Sequence, residues 1–392
     1  MRTTTDWRQV SLIIAAGVIA AAQIGKAAIA TPTLRDDLGL SLFAVSWVIG
    51  AYAALGAFGG LAIALLLSRL PVHRAIVAAL LLIAAGSVLG AMAQDASLLI
   101  ISRVVEGIGF LGLVIAAPTL LRGVVAGRHQ DVVFACWSAY IPIGAAIMMF
   151  VGPWLLKFGW QTLWLVNAAV AVAHAALMLV LRPRPAALPS VSTTAALTDL
   201  VDLMKSGTPL LLAGIFCLYA IQYYALSTFL PILLVERIGL DLNTAGTVAG
   251  FAVLANAAGN VVAGFFLKFG ASLSAMAGAV FIAIGVFGFG IFGPGLPVTI
   301  VAASAALSLG ITALLPASVI ASAPRLTDTP RKLAMTLGTI QQASSVGQFA
   351  GPVILAAWVE HAGWQGARYM FLTIAILGLL IVTQIRRLRP GT

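Results

Sequence analysis

Charge is what this chain has least of. Asp, Glu, Lys and Arg make up only 9% of its 392 residues, against about 25% in a soluble domain. Hydrophobic residues make up 61%, and the mean hydropathy is +1.08. A single water-soluble core of this length cannot bury so much apolar surface, so lipid must supply the apolar environment. Cysteine is nearly absent as well. Cys136 and Cys217 each fall inside an apolar run and read as small core residues, which excludes a disulfide framework. There is no Cys/His cluster, no P-loop, no Gly-x-Gly-x-x-Gly after a strand and no nucleophile–base set. An enzyme, a resident cofactor and a metal site are therefore not expected. Acid is scarcer than base, giving a net charge of +10. The basic residues lie in short loops between apolar runs and form no continuous patch, which argues against a nucleic-acid partner.

Long hydrophobic runs are what is there. The first follows Arg2 and Arg8, as in a signal peptide, but eleven more follow it, so it reads as an uncleaved span. A helix needs about 20 apolar residues to cross the bilayer. Twelve stretches qualify, at roughly 10–34, 42–67, 74–94, 97–121, 131–155, 161–181, 208–235, 243–267, 272–292, 297–319, 331–357 and 364–385. In lipid, helices satisfy their own backbone, so the expected fold is an all-α membrane protein of twelve transmembrane helices. With the N-terminus in the cytoplasm, that side collects Arg2, Arg8, Arg69, Arg74, Arg122, Arg128, Lys205, Lys268 and the arginines of the last residues, among others. The outer side keeps Arg35, Lys157, Arg237 and Arg368. That bias, about four to one, puts both termini in the cytoplasm.

The runs divide six and six. Residues 1–181 form a first bundle and 208–392 a second. Between them, 182–207 is a proline-bearing cytoplasmic linker whose segment Ala195 to Lys205 reads as a short amphipathic helix. The halves look like copies. Gly152-Pro153 followed by Gly159-Trp160-Gln161 recurs as Gly351-Pro352 followed by Gly363-Trp364-Gln365, at offsets of 199 and 204 residues. Arg69 pairs with Lys268, again at 199.

Twelve spans, a six-plus-six repeat and this linker resemble the major facilitator superfamily over essentially the whole chain. Arg103-Val104-Val105-Glu106-Gly107-Ile108-Gly109 is similar to the family's Arg…Gly-x-Gly signature, and Gly152-Pro153…Gly159-Trp160…Asn167 to its fifth-to-sixth span junction. Ala64-Leu65-Leu66-Leu67-Ser68-Arg69-Leu70-Pro71 lacks the acid of the family's usual gate motif, and Leu267-Lys268-Phe269-Gly270 repeats the loss. Within the superfamily, Gln222-Tyr223-Tyr224 with Phe229-Leu230-Pro231 looks like the cyanate permease and nitroimidazole transporter branch, whose first-span arginine and proline are matched by Lys26 and Pro32. The resemblance implies two pseudo-symmetric bundles, alternating access, a substrate site between the halves near the midplane, and the bacterial inner membrane as location.

Charges at membrane depth are costly, about 2.5–3.5 kcal/mol each on insertion scales, and so are functional candidates. Three stand out: Lys26, Arg103 and Glu106. Lys26 can contact ligand or a gate, snorkel to the outer interface, or form a structural pair. Arg103 and Glu106 are three residues apart on one helix face, giving either an ion pair or a proton carrier with its tuning arginine. The sum leaves one uncompensated positive charge, which favours an anionic or strongly polarised solute. Gln222, Tyr223, Tyr224, Gln341 and Gln342 are candidate substrate contacts, with helix–helix hydrogen bonding as the competing reading. Trp47, Tyr52, Trp137 and Tyr140 could wall a cavity or simply pack. His174 reads as a satisfied buried histidine. Gly17, Gly25, Gly246, Gly250, Gly259 and Gly264 read as close-packing positions. The expected function is secondary transport of a small anionic or polar solute by a monomer in the bilayer, with a proton as possible co-ion. A drug/proton antiporter is the alternative, and a non-transporting membrane sensor the third reading.

Overall fold

The computed structural model describes residues 4–59, 71–181, 207–325 and 330–388. The described residues are helical, with no strand among them. In order they form α1 (Trp7–Leu38), α2 (Leu42–Phe58), α3 (Val72–Ala91), α4 (Ala96–Val124), α5 (Gln130–Ser138), α6 (Tyr140–Leu156), α7 (Trp160–Leu181), α8 (Gly207–Glu236), α9 (Leu242–Lys268), α10 (Leu273–Phe292), α11 (Val298–Thr312), α12 (Leu314–Ser322) and α13 (Pro330–Leu388). Ten helical stretches among the described residues are long and apolar enough to cross a membrane. Leu42–Phe58 is apolar but shorter, and the stretch Met335–Arg387 holds a turn at Gly363. The all-α transmembrane class is as expected; the described residues do not by themselves give a count of twelve. The gate-motif loop and the amphipathic segment in the linker lie outside the described residues.

Local chemistry sets the helix ends. Asp6, Ser41, Asp95 and Ser272 each accept a hydrogen bond from a backbone N–H of the first turn that would otherwise be unpaired. Gly39 closes α1 in the left-handed conformation, with φ of 62°. Gly363, with φ of 67°, turns α13 between the two stretches expected as separate spans. Two expected spans are broken. The one at 131–155 divides into α5 and α6 at Ala139, and the one at 297–319 into α11 and α12 at Ala313. The cause is proline. Pro142 comes four residues after Ser138 and Pro316 four after Thr312, and a proline ring clashes with the carbonyl four residues back while offering it no N–H.

The chain divides into two compact units. Unit 1 comprises the described residues up to Leu181 together with Asp241–Gly250; unit 2 comprises Gly207–Leu240 and the described residues from Phe251 on. In unit 1, α3 lies along α4 and α7, α1 packs on α6, α4 and α7, and α2 packs on α4. In unit 2, α8 and α10 both lie along α13, and α10 also meets α11. Small residues permit these approaches. A methyl group on Gly25 would stand 2.4 Å from the Ala145 carbonyl oxygen, and one on Gly351 would stand 2.4 Å from that of Ile221. Gly17 and Gly259 are also crowded, with nearest atoms at 2.7 and 2.0 Å, whereas Gly264 faces open space and is not a packing position. Cys136 is exposed, not a core residue; its side chain is small and uncharged, so a lipid-facing position costs little.

Candidate functional site

The polar centre of unit 1 is a buried ionic knot on five helices, with α2 joining through the Val48 carbonyl and the Tyr52 ring. From α1 come Gln23 and Lys26, from α3 Ser87, from α4 Arg103 and Glu106, and from α7 Trp164 and Asn167. Arg103 and Glu106 share a face because they are three residues apart on α4. Gly86 lets α3 close on that face: a methyl group there would stand 2.6 Å from Glu106 Cγ and 2.8 Å from the Glu106 backbone nitrogen. Gly107, where a methyl group would stand 2.2 Å from the Tyr52 carbonyl oxygen, does the same for α2.

Glu106 is the hub. Lys26 Nζ donates to Glu106 Oε1 at 2.6 Å and to Ser87 Oγ at 2.8 Å. Ser87 Oγ lies 2.6 Å from the same carboxylate oxygen, to which it donates. Arg103 Nη1 donates to the other oxygen, Oε2. Two further guanidinium N–H groups go to backbone: Nη2 to the Gln23 carbonyl at 2.9 Å and Nε to that of Val48 at 3.3 Å. Gln23 Nε2 donates to Asn167 Oδ1 and to the Ile19 carbonyl, both at 3.1 Å. Aromatic faces close the set. Lys26 Nζ sits 4.6 Å from the Trp164 ring centre, and the Arg103 guanidinium 4.5 Å from that of Tyr52. Gln23, Lys26, Ser87, Arg103 and Glu106 are all 0% exposed.

This geometry changes the reading of Lys26. Its ammonium does not snorkel to an interface; it points into the bundle and shares Glu106 with Arg103. The surplus charge therefore belongs to three groups and not to a lone lysine. Two cations and one carboxylate still sum to +1, in a place where unpaired charge costs several kcal/mol. Tyr52, a candidate cavity wall, lies under Arg103 and donates its hydroxyl to the Ala20 carbonyl at 2.7 Å. Trp137 and Tyr140 are buried and stacked, with ring centres 4.4 Å apart. Trp47 is exposed, edge-on to Phe43. A ring nitrogen of His174 lies 3.0 Å from the Leu12 carbonyl oxygen, so that histidine has a partner.

Unit 2 holds the other candidates. Gln222 on α8 is fully buried; its Nε2 donates to Ser308 Oγ on α11 at 3.2 Å, and its Oε1 is buried without a hydrogen bond among the described residues. Tyr223 and Tyr224 are buried beside it, in a ring series with Tyr219. Gln341 and Gln342 lie on an exposed face of α13, apart from the buried Gln348 and Ser345 of the same helix. Sequence reasoning missed Gln23, Ser87 and Asn167. One signal was available: Gln23 and Gln222 are 199 residues apart, the offset of the repeat.

Two compact, all-helical units with polar groups buried among long apolar helices define a polytopic membrane protein. The family model of the Major Facilitator Superfamily matches residues 12–293 and 212–391, and the chain belongs to that family of transporters. It is 32% identical over 152 residues to the uncharacterized MFS-type transporter EfpA of Mycobacterium tuberculosis, covering 37% of this chain and 28% of the relative. It is 29% identical over 163 residues to the methyl viologen resistance protein SmvA of Salmonella typhimurium, covering 40% and 32%. The chain thus spans about a third of the length of the curated relatives it matches. Among solved structures, a bacterial homologue of the human lysosomal transporter Spinster, inward-facing and occupied, superposes with a TM-score of 0.78 at 15% identity, covering 99% of this chain and 97% of the other. Its unoccupied inward-facing form gives 0.74 at 16% identity, covering 97% and 96%.

Proposed function

We propose that this chain is a proton-linked exporter of lipophilic solutes that works by alternating access between two six-helix bundles joined through residues 182–207. It would act as a monomer in the bacterial inner membrane, with both termini in the cytoplasm. The observation that carries the reading is the sealed knot. Glu106 already serves Lys26, Arg103 and Ser87, so it is a poor counter-ion for a cationic solute. Removing one proton from the knot leaves a neutral set, while adding one leaves +2 among side chains that are 0% exposed. The knot is therefore suited to exchanging a single proton as access to it changes. The matches to SmvA and EfpA favour export, although they cover only part of the chain.

A second reading is movement of a small anionic or polar solute, as in the cyanate permease branch. The surplus positive charge of the knot favours it, with Gln222, Tyr223, Tyr224, Gln341 and Gln342 as contacts. One experiment separates the two. Lys26→Met in proteoliposomes, assayed with an anionic, a neutral and a cationic dye, should abolish accumulation driven by a pH gradient while sparing counterflow of the neutral dye. Loss of anion counterflow alone would favour the second reading. Gradient-driven accumulation equal to wild type would sink the proton-linked one.

A further inference from the structure

A groove runs down the outer surface of unit 2 between α10 and the part of α13 beyond Gly363. Its volume is about 270 Å³ and its walls are wholly apolar, among them Ile282, Val286, Phe289, Leu372, Ile376 and Leu379. Its floor is narrow because Gly285 brings α10 close to Ala375. The rims are bare: Ile282 is 56% exposed, Val286 60% and Ile376 50%. In a bilayer such rims face lipid. From Phe281 to Phe289 the groove follows roughly 12 Å of helix, the scale of part of an acyl chain.

One end of this groove is cationic. Arg368 lies one turn before Leu372, with its guanidinium 6.0 Å from the Phe289 ring centre and 4.9 Å from that of Tyr369. Its Nη2 reaches the Tyr369 hydroxyl at 3.2 Å, but its Nε is buried and makes no hydrogen bond among the described residues. Arg237 sits at the same end. It donates to the Ile291 carbonyl at 2.7 Å and to that of Gly293, the last carbonyls of α10. Burial, and after it the nearby Arg368 charge, pull the Arg237 guanidinium below its ordinary value. Two like charges, one of them on a half-buried guanidinium whose Nε–H makes no hydrogen bond among the described residues, call for an anion, and the apolar trough that starts beside them calls for a hydrocarbon tail.

We propose that this groove is a binding site for an anionic phospholipid of the outer leaflet, with an acyl chain along α10 and α13 and the phosphate at Arg368. Arg237 stands behind as fixed positive charge and orders the end of α10. Arginine is suited to this because its planar fork meets phosphate oxygens in pairs. The site belongs to unit 2 alone and is independent of the transport reading.

Native mass spectrometry of the full chain in detergent tests it, with dioleoylphosphatidylglycerol, dioleoylphosphatidylcholine and soluble glycerol-1-phosphate as probes. Wild type should hold phosphatidylglycerol about tenfold more tightly than phosphatidylcholine and should not hold glycerol phosphate. Arg368→Gln should erase the preference, Arg368→Lys should keep part of it, and Val286→Trp, which fills the trough, should weaken both lipids. The preference is a ratio within each variant, so a change in yield or stability does not imitate it. An unchanged preference in Arg368→Gln would overturn the proposal. So would binding of glycerol phosphate as strong as that of the lipid, or a dimer that disappears in Val286→Trp, which would make a second copy the occupant.

Discussion

The two units bury polar groups between their helices and do it differently. In unit 1, α1 meets α4 through Lys26, Glu106 and Arg103. In unit 2, α8 meets α11 through Gln222 and Ser308. Gln222 stands 199 residues after Gln23, and Ser308 stands 202 after Glu106, between the two offsets of the repeat. One contact is ionic, saturated and roofed by aromatic rings. The other is a single neutral hydrogen bond with an oxygen left over. A fully connected ionic set is strong and intolerant of losing a member, while a neutral pair is weak and replaceable. Unit 1 therefore has one discrete arrangement to keep or to switch, and unit 2 has only a mild preference for closeness.

The largest effect should come from breaking the hub. Glu106→Gln leaves two buried cations with no carboxylate, and loss of about 3–5 kcal/mol of stability is expected. The midpoint of unfolding in a mild detergent checks it. A shift no larger than that of a surface substitution would show that the cations find water, and the contrast between the units would fall. Next come the close approaches. Gly86→Ala drives a methyl group onto Glu106, and Gly351→Ala drives one onto the Ile221 carbonyl. Each should cost about 1–3 kcal/mol by overpacking. Only Gly86→Ala should also move the pH dependence of transport, because only it displaces the hub.

Lys26→Met should have a smaller effect on stability than either, despite removing a buried charge. The variant leaves Glu106 with Arg103 and Ser87, a neutral set, so no ion is orphaned. The lost pair and the relieved surplus charge oppose each other, and a change within about 1 kcal/mol of wild type in the same melt is expected. Comparison with Glu106→Gln is the sharpest test of whether the knot is a hub with two spokes. Equal losses would mean that the lysine and the carboxylate are one indivisible pair.

The membrane class was legible because it rests on composition and on the length of apolar runs, which tertiary contacts do not alter. Arg103 with Glu106 was legible because both lie on one helix. Lys26 with Glu106 was not: they are 80 residues apart, and equal depth in the membrane does not say which face a side chain takes. The breaks at Ala139 and Ala313 could have been read from Pro142 and Pro316, whose clash four residues back is local. The turn at Gly363 was legible, since the spans expected at 331–357 and 364–385 leave it between them.

The smallest effect should come from Gln222→Leu. The wild-type side chain makes one hydrogen bond to Ser308 while holding a buried oxygen unsatisfied. A leucine of similar size forfeits a bond worth about 1 kcal/mol and removes a comparable desolvation penalty. The Ser308 hydroxyl has an outlet, since a serine in a helix can turn to the carbonyl three or four residues back. Stability should therefore stay within about 0.5 kcal/mol of wild type, a result that fits a mild helix contact. Transport of a neutral dye should then stay near the wild-type rate if Gln222 only joins helices, and fall if its free oxygen is a solute contact. A loss of stability as large as that of Glu106→Gln would erase the distinction between the units, because it would mean that the neutral contact in unit 2 is as indispensable as the ionic one in unit 1.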